Sequence, residues 1–265
     1  MRKFAFNGQR SKWMFMAIVV LCAFALNISG VWATDPNITI DINSATGNGS
    51  MGALDLMYLF VLLTLLPSLL LLCTCFTRII IVFSLARSAM GTQQSPPNMV
   101  LTGLALILTL FIMTPTVNRV IDVAWEPYKA GEITSEEAIE LGQGPIKEFM
   151  LKNVDKDSLN LFLQISGEDL VFEDETQMNE ALMELDIKIV APAFATSELK
   201  RGFIMGFFVY VPFVIIDLVV ASTLMAMGMV MLPPGSIAMP FKLLVFILAD
   251  GWGLMMSTLV KSFRV

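Results

Sequence analysis

Two carboxylates interrupt stretches that otherwise carry no charge. Asp217 is the only charged residue in residues 202–232, and Asp250 the only one in residues 243–260. A carboxylate at the centre of a bilayer costs roughly 2.5–3.5 kcal/mol on insertion scales. Each must therefore face protein, water or a cation. Three chemistries suit such a pair. It could relay protons or hold an ion; it could make a hydrogen bond between helices or subunits; or it could share one proton and activate water. Arg78 and Arg87, at the edges of another apolar stretch, need the same shelter, and pairing with a neighbouring subunit is the expected kind.

The catalytic option lacks its usual setting. Intramembrane aspartyl proteases carry a GxGD signature. Here "LADG" occupies residues 248–251, and "IIDL" around Asp217 lacks the usual preceding tyrosine. The chain has no histidine, which removes the usual general base near neutral pH and the commonest metal ligand. Cys22 lies in a candidate leader. Cys73 and Cys75 sit in an apolar run at a spacing that is not CxxC, without further ligands for a zinc site, and read as inert small apolar residues.

A different chemistry belongs to "LMAMGMVMLPPG", residues 224–235. Met225, Met227, Met229 and Met231 recur every second residue just before a proline pair, with Val230 among them. Thioether side chains are flexible and polarizable, so they repack around varied surfaces. The bland alternative is gap-filling in a helix bundle. At a spacing of two, however, helical residues point to different faces, which favours a loop or a wide lining over one packed stripe. Val230, being β-branched, stiffens one position.

The elements that must carry these groups follow from composition. The 265 residues are 56% apolar and only 15% charged, against about 25% charged in soluble domains, which makes a membrane protein the default. Residues 119–198 hold eighteen acidic and six basic residues, a net charge of −12, while the rest of the chain carries +6. No basic stripe exists to neutralise nucleic-acid phosphates. Residues 1–33 read as a signal peptide: four basic residues, an uncharged run from residue 13, and a cleavage site expected between Ala33 and Thr34. Residues 34–53 read as a flexible extracytoplasmic N-terminus.

Residues 54–118 form the first expected helical hairpin. Residues 56–76 are uncharged and long enough to cross about 30 Å of hydrocarbon, with a kink at Pro67. "GTQQSPPN" then breaks the pattern at Pro96 and Pro97, and residues 99–117 are a second uncharged run. Residues 119–198 are the acidic segment, expected as short extracytoplasmic helices: a capping box at "TSEE" (residues 134–137), a break at Gly144–Pro145, and a helical stripe of Leu159, Phe162, Leu163 and Ser166. Residues 199–265 form the second hairpin, with its tip at Pro233 and Pro234. Gly202 and Gly206 make a GxxxG step that allows close helix approach. The positive-inside rule puts the first tip, flanked by Arg78 and Arg87, in the cytoplasm. Lys200, Arg201, Lys261 and Arg264 then fall near the outer side, where that rule disfavours them.

Three stretches carry a resemblance: "FTRIIIVFSLARSAMGTQQSPPNMVLTGLALILT" (residues 76–109), "SELKRGFIMGFFVYVPFVIIDLVVASTLMAMGMVMLPPGSIAMPFKLLVFILADGW" (residues 197–252) and the trailing "KSF". They resemble the FliP family of flagellar biosynthesis proteins and its virulence type III secretion relatives. The resemblance implies an all-α membrane protein whose copies assemble with FliQ and FliR into a helical, funnel-like ring. That ring is the core of the export gate, working with further membrane proteins of the apparatus (FlhA, FlhB). Unfolded flagellar proteins pass through it across the bacterial inner membrane, within the basal body, and much of the assembly is lifted out of the bilayer plane. It implies no enzymatic activity and no cofactor. It also implies that Met229, Val230 and Met231, with Met225 and Met227 nearby, ring the channel as a gasket, and that Arg78, Arg87, Asp217 and Asp250 face neighbouring subunits. The alternative from another class is an ion- or proton-coupled transporter using Asp217 and Asp250.

Overall fold

A computed structural model of the chain describes residues 60, 61, 64, 71–92, 95–167, 182–229 and 231–264. The expected signal site at Ala33 and Thr34, residues 34–53 and Val230 lie outside them. All regular structure among the described residues is helical. Helix α1 is Phe76–Ala89 and α2 is Asn98–Val120. α2 runs without a break through a π-helical turn, Ile121–Trp125, into α3, Glu126–Ala130. The acidic segment contains α4 (Ser135–Asn153) and α5 (Lys156–Ser166). α6 is Ile187–Ala226, α7 Pro234–Leu248 and α8 Gly251–Lys261.

α1 packs along α6. Its inward face is Arg78, Ile79, Val82, Phe83, Ala86 and Ala89, the three-to-four-residue recurrence of one helix side. The GxxxG step supplies the groove. A Cβ on Gly202 would lie 3.3 Å from the Ile81 side chain, and one on Gly206 would lie 2.2 Å from Leu85 Cδ1 and 3.0 Å from its Cβ. The two glycines thus bring α1 onto α6 within one chain. The first apolar run is not one continuous helix: a turn at residues 73–75 separates it from α1, with Thr74 Oγ1 donating to the Leu71 carbonyl at 3.1 Å.

The capping box opens α4 as expected: Thr134 Oγ1 accepts from the Glu137 N–H at 3.3 Å, and Glu137 Oε2 accepts from the Thr134 N–H at 2.8 Å. The expected break at Gly144–Pro145 does not occur. α4 continues through Pro145, which is buried, and the preceding Gly142 fits against Ala124 and Val120 of the α2–α3 rod. Packing against that rod holds a helix that local propensity alone would end. In α5, Leu159 and Leu163 are buried and Ser166 closes the last turn on the Leu163 carbonyl. Phe149 joins α4 to α6 and to the C-terminal tail through ring contacts with Phe194 and Phe263.

α6 begins at Ile187, well before residue 199, where the second hairpin was expected to start. Its forty residues reach about 60 Å at 1.5 Å each. Its first turns pack against the acidic segment through Val190, Ala193, Phe194 and Ser197; beyond Gly206 it is largely bare, with Phe207, Phe208, Ile215 and Leu218 exposed. Two stretches are long and apolar enough to cross a membrane, Asn98–Ala130 and Ile187–Ala226, and α7 with α8 makes a third across a 61° bend. Each proline pair lies directly ahead of a helix: Pro97 precedes α2, and Pro233 precedes Pro234, the first residue of α7.

Candidate functional site

α6 ends where its backbone turns left-handed at Gly228, φ 77°. The Gly228 N–H donates to the Met225 carbonyl and the Met229 N–H to the Leu224 carbonyl, both at 3.0 Å. This glycine-closed end satisfies carbonyls that the helix leaves free. The methionines follow from it. Met225 stands in the last turn of α6, while Met227, Met229 and Met231 lie in the connection to α7. They are 63%, 61%, 45% and 95% exposed in that order. None fills the core of its own chain.

Below this loop, the two arms are joined. Lys242 of α7 donates to Asp217 Oδ2 of α6 at 2.6 Å and to the carbonyl of Ala89, the last residue of α1, at 3.0 Å. The ammonium thus sits between a carboxylate and the C-terminal end of a helix. It lies about 12 Å along each arm from the loop, eight or nine residues at 1.5 Å each. Asp217 Oδ1 is buried without a hydrogen-bond partner. Asp217 therefore already has a basic partner in its own chain.

Arg78 is likewise satisfied internally. Its Nε donates to Glu198 Oε2 at 2.9 Å and a second nitrogen to Oε1, a two-point match of guanidinium to carboxylate. The remaining nitrogen donates to Ser262 Oγ at 2.9 Å and to the Ser262 carbonyl at 3.2 Å, and the Phe263 ring lies 3.8 Å below the guanidinium carbon. Both side chains are at most 1% exposed. Arg78 does not flank the first proline pair. It lies at the opposite end of α1 from Arg87, which is half-buried and donates to Asn98 Oδ1 and to the Pro96 carbonyl at 3.3 Å. Arg78, Arg87 and Asp217 thus each have a partner in the same chain.

Asp250 is not inside a helix. It is exposed, at φ 47°, in the bend between α7 and α8. The bend exists because Gly251 admits the Phe246 ring and Gly253 leaves room for the Asp250 carboxylate; a Cβ there would meet them at 2.2 Å and 2.4 Å. Among the described residues no hydrogen bond or ion pair links Asp250 to Asp217, and no group of three or more histidine, cysteine or carboxylate side chains could hold a metal ion.

Sequence reasoning missed Glu198, Lys242 and Ser262. Glu198 was counted into the acidic segment, and Lys242 was assigned no role. The signal was present in Lys242. It is the one cation in residues 202–260, and it stands as far after the turn as Asp217 stands before it.

The sequence matches the FliP family over residues 59–259, a range that contains both clasped ion pairs' helices and the methionine loop. The chain belongs to the FliP family. It is 46% identical over 233 residues to the flagellar biosynthetic protein FliP of Pectobacterium carotovorum subsp. carotovorum, covering 88% of this chain and 87% of that one. It is 44% identical to FliP of Caulobacter vibrioides over 248 residues, 93% and 90% of the two chains. With FliP of Aquifex aeolicus it shares 40% over 247 residues, 92% and 98%. The family is one of flagellar biosynthesis and export, and this member carries membrane-spanning helices.

Proposed function

We propose that this chain is a core, pore-forming subunit of the flagellar type III export gate. It passes unfolded flagellar proteins across the bacterial inner membrane, within the basal body. Several copies, joined by FliQ and FliR and served by FlhA and FlhB, surround the conduit in a helical ring with the proline pairs at the hairpin tips. The observation that carries this reading is the methionine loop: four thioethers turned out of the fold at the end of α6 and on the short connection that follows, whose arms are clasped together. A ring of Met225, Met227, Met229, Val230 and Met231 would close on itself against water and ions yet conform to any chain that passes. The bare outer face of α6 supplies apolar surface for sister chains and lipid. The protein is not an enzyme in this reading, has no phosphate-binding loop, and takes no cofactor; energy comes from its partners.

The test is the double change Met229→Ala with Met231→Ala, introduced into flagellated cells. The expected result is leakage of small ions with export partly retained. An ion- or proton-coupled transporter using Asp217 and Asp250 would instead show no leak there and would lose activity on Asp217→Asn. An unchanged membrane conductance in the double variant, with the protein present at normal levels, would reject the gasket.

A further inference from the structure

Methionine has one property that leucine and valine lack: a mild oxidant makes it polar. A sulfur lone pair attacks one oxygen of hydrogen peroxide. An S–O bond forms, the O–O bond breaks, and the departing hydroxide takes the proton of the new S–OH group and leaves as water. The sulfur loses two electrons and the peroxide gains them. The product is a sulfoxide, which reductases return to the thioether. Packing decides which methionines an oxidant reaches. Met90, Met113, Met150 and Met255 are at most 5% exposed. Met225, Met227, Met229 and Met231, all within seven residues, are each at least 45% exposed. Cys73 and Cys75 are free thiols, but one is half-buried and the other buried, and both precede the far end of α1. Neither intercepts an oxidant at this loop.

The loop's composition magnifies the change. Residues 224–232, "LMAMGMVML", carry no charged, hydroxyl or amide side chain. A sulfoxide oxygen would be the first strong side-chain acceptor in the stretch. An acceptor with no donor beside it holds on to water, which is what an apolar seal must exclude. The clasp of Asp217, Lys242 and the Ala89 carbonyl ties the arms behind the loop. A closed ring of thioethers still presents both of its faces to solvent. Hydrogen peroxide, little larger than water, also reaches whatever a passing chain reaches.

We propose that Met225, Met227, Met229 and Met231 are an oxidative modification site: hydrogen peroxide converts them to sulfoxides, and the seal then admits water and ions until a methionine sulfoxide reductase restores them. This rests on the gate reading given above. In the test, flagellated cells are pulsed with hydrogen peroxide and washed. Sulfoxides are located by peptide mass spectrometry as gains of about 16 Da, and leakage of small ions is measured before and after the pulse. Wild type should oxidise the four loop methionines about tenfold faster than the four buried ones, and its leak should rise several-fold as they react. Met225→Leu, Met227→Leu, Met229→Leu and Met231→Leu combined keep the loop apolar at similar volume and should show no rise. Met229→Leu with Met231→Leu should show about half of it. Met99→Leu removes a methionine that is 64% exposed but lies outside the loop, and should respond like wild type. Loop methionines that react no faster than the buried ones, or loop sulfoxides without added leak, would overturn the proposal. An equal rise in the fourfold variant would overturn it too, placing the leak elsewhere in the membrane. The gate reading is judged separately. If Met229→Ala with Met231→Ala leaks and oxidised wild type does not, the gasket stands and this proposal falls; if neither leaks, both fall.

Discussion

At the scale of single residues, the deepest commitment is Arg78 with Glu198. Breaking a buried pair strands one charge, at about 3–5 kcal/mol, whereas replacing both partners with apolar residues of similar volume is often neutral. Glu198→Gln should therefore lower thermal stability in detergent strongly, while Arg78→Met with Glu198→Leu should recover most of it. Equal losses in the two variants would show that the pair is not the source of the effect. A second charge reports on pH. The hydrogen bond from Arg119 holds the Glu148 carboxyl down to about 2 from its usual 4.5. Its folded form binds protons more weakly than its unfolded form, so its contribution to stability is complete above pH 4.5 and is lost as pH falls from there towards 2. Glu148→Gln should flatten the stability profile in that window and leave its shape above pH 5 unaltered. The need for shelter at Arg78 and Asp217 was legible in the sequence, because a charge among apolar residues demands a partner whatever the fold. The partner of Arg78 was not. Glu198 lies 120 residues from Arg78, and nothing local distinguishes it from the other acids of its segment.

At the scale of elements, α1 on α6 is the contact that organises the rest. Gly206 has no space for a side chain while Leu85 is present. Gly206→Val should destabilise by about 1–3 kcal/mol through overpacking, and Leu85→Ala added to it should restore part of the loss; a detergent melt of the four-member cycle reads this directly. Additive losses would mean that the two residues do not meet. The apolar stretches and the capping box of α4 were readable because hydropathy and capping are local properties. The break at residues 73–75, the continuity of α4 through Pro145 and the start of α6 at Ile187 were not. Each is decided by what packs alongside: Pro145 and Gly142 against the α2–α3 rod, and the first turns of α6 against Phe149 and α5.

At the scale of the whole molecule, two polar junctions lie at opposite ends of α1. Arg78 meets Ser262 and Glu198 at one end; Ala89 meets Lys242 at the other, about 17 Å along the helix, eleven residues at 1.5 Å each. The methionine loop lies beyond the second. Single cysteines replacing Ser236 and Lys261 should therefore react with an impermeant thiol reagent from opposite faces of the membrane. Reaction of both from one face would refute this layout. The helical class and the candidate spans came through in hydropathy, but the 61° bend at Asp250 did not, since it depends on a ring entering the space that Gly251 leaves. The clasp of Asp217, Lys242 and Ala89 has a consequence for speed. With both arms tied near their upper ends, the hairpin has little freedom to splay, and deformation is left to the thioether tips. Rotamer hops take picoseconds to nanoseconds, whereas hinged arms move in microseconds to milliseconds. In the proposed gate, a seal built this way would reshut between one threaded residue and the next, so any current passed during traffic should flicker too fast for a hinge to follow.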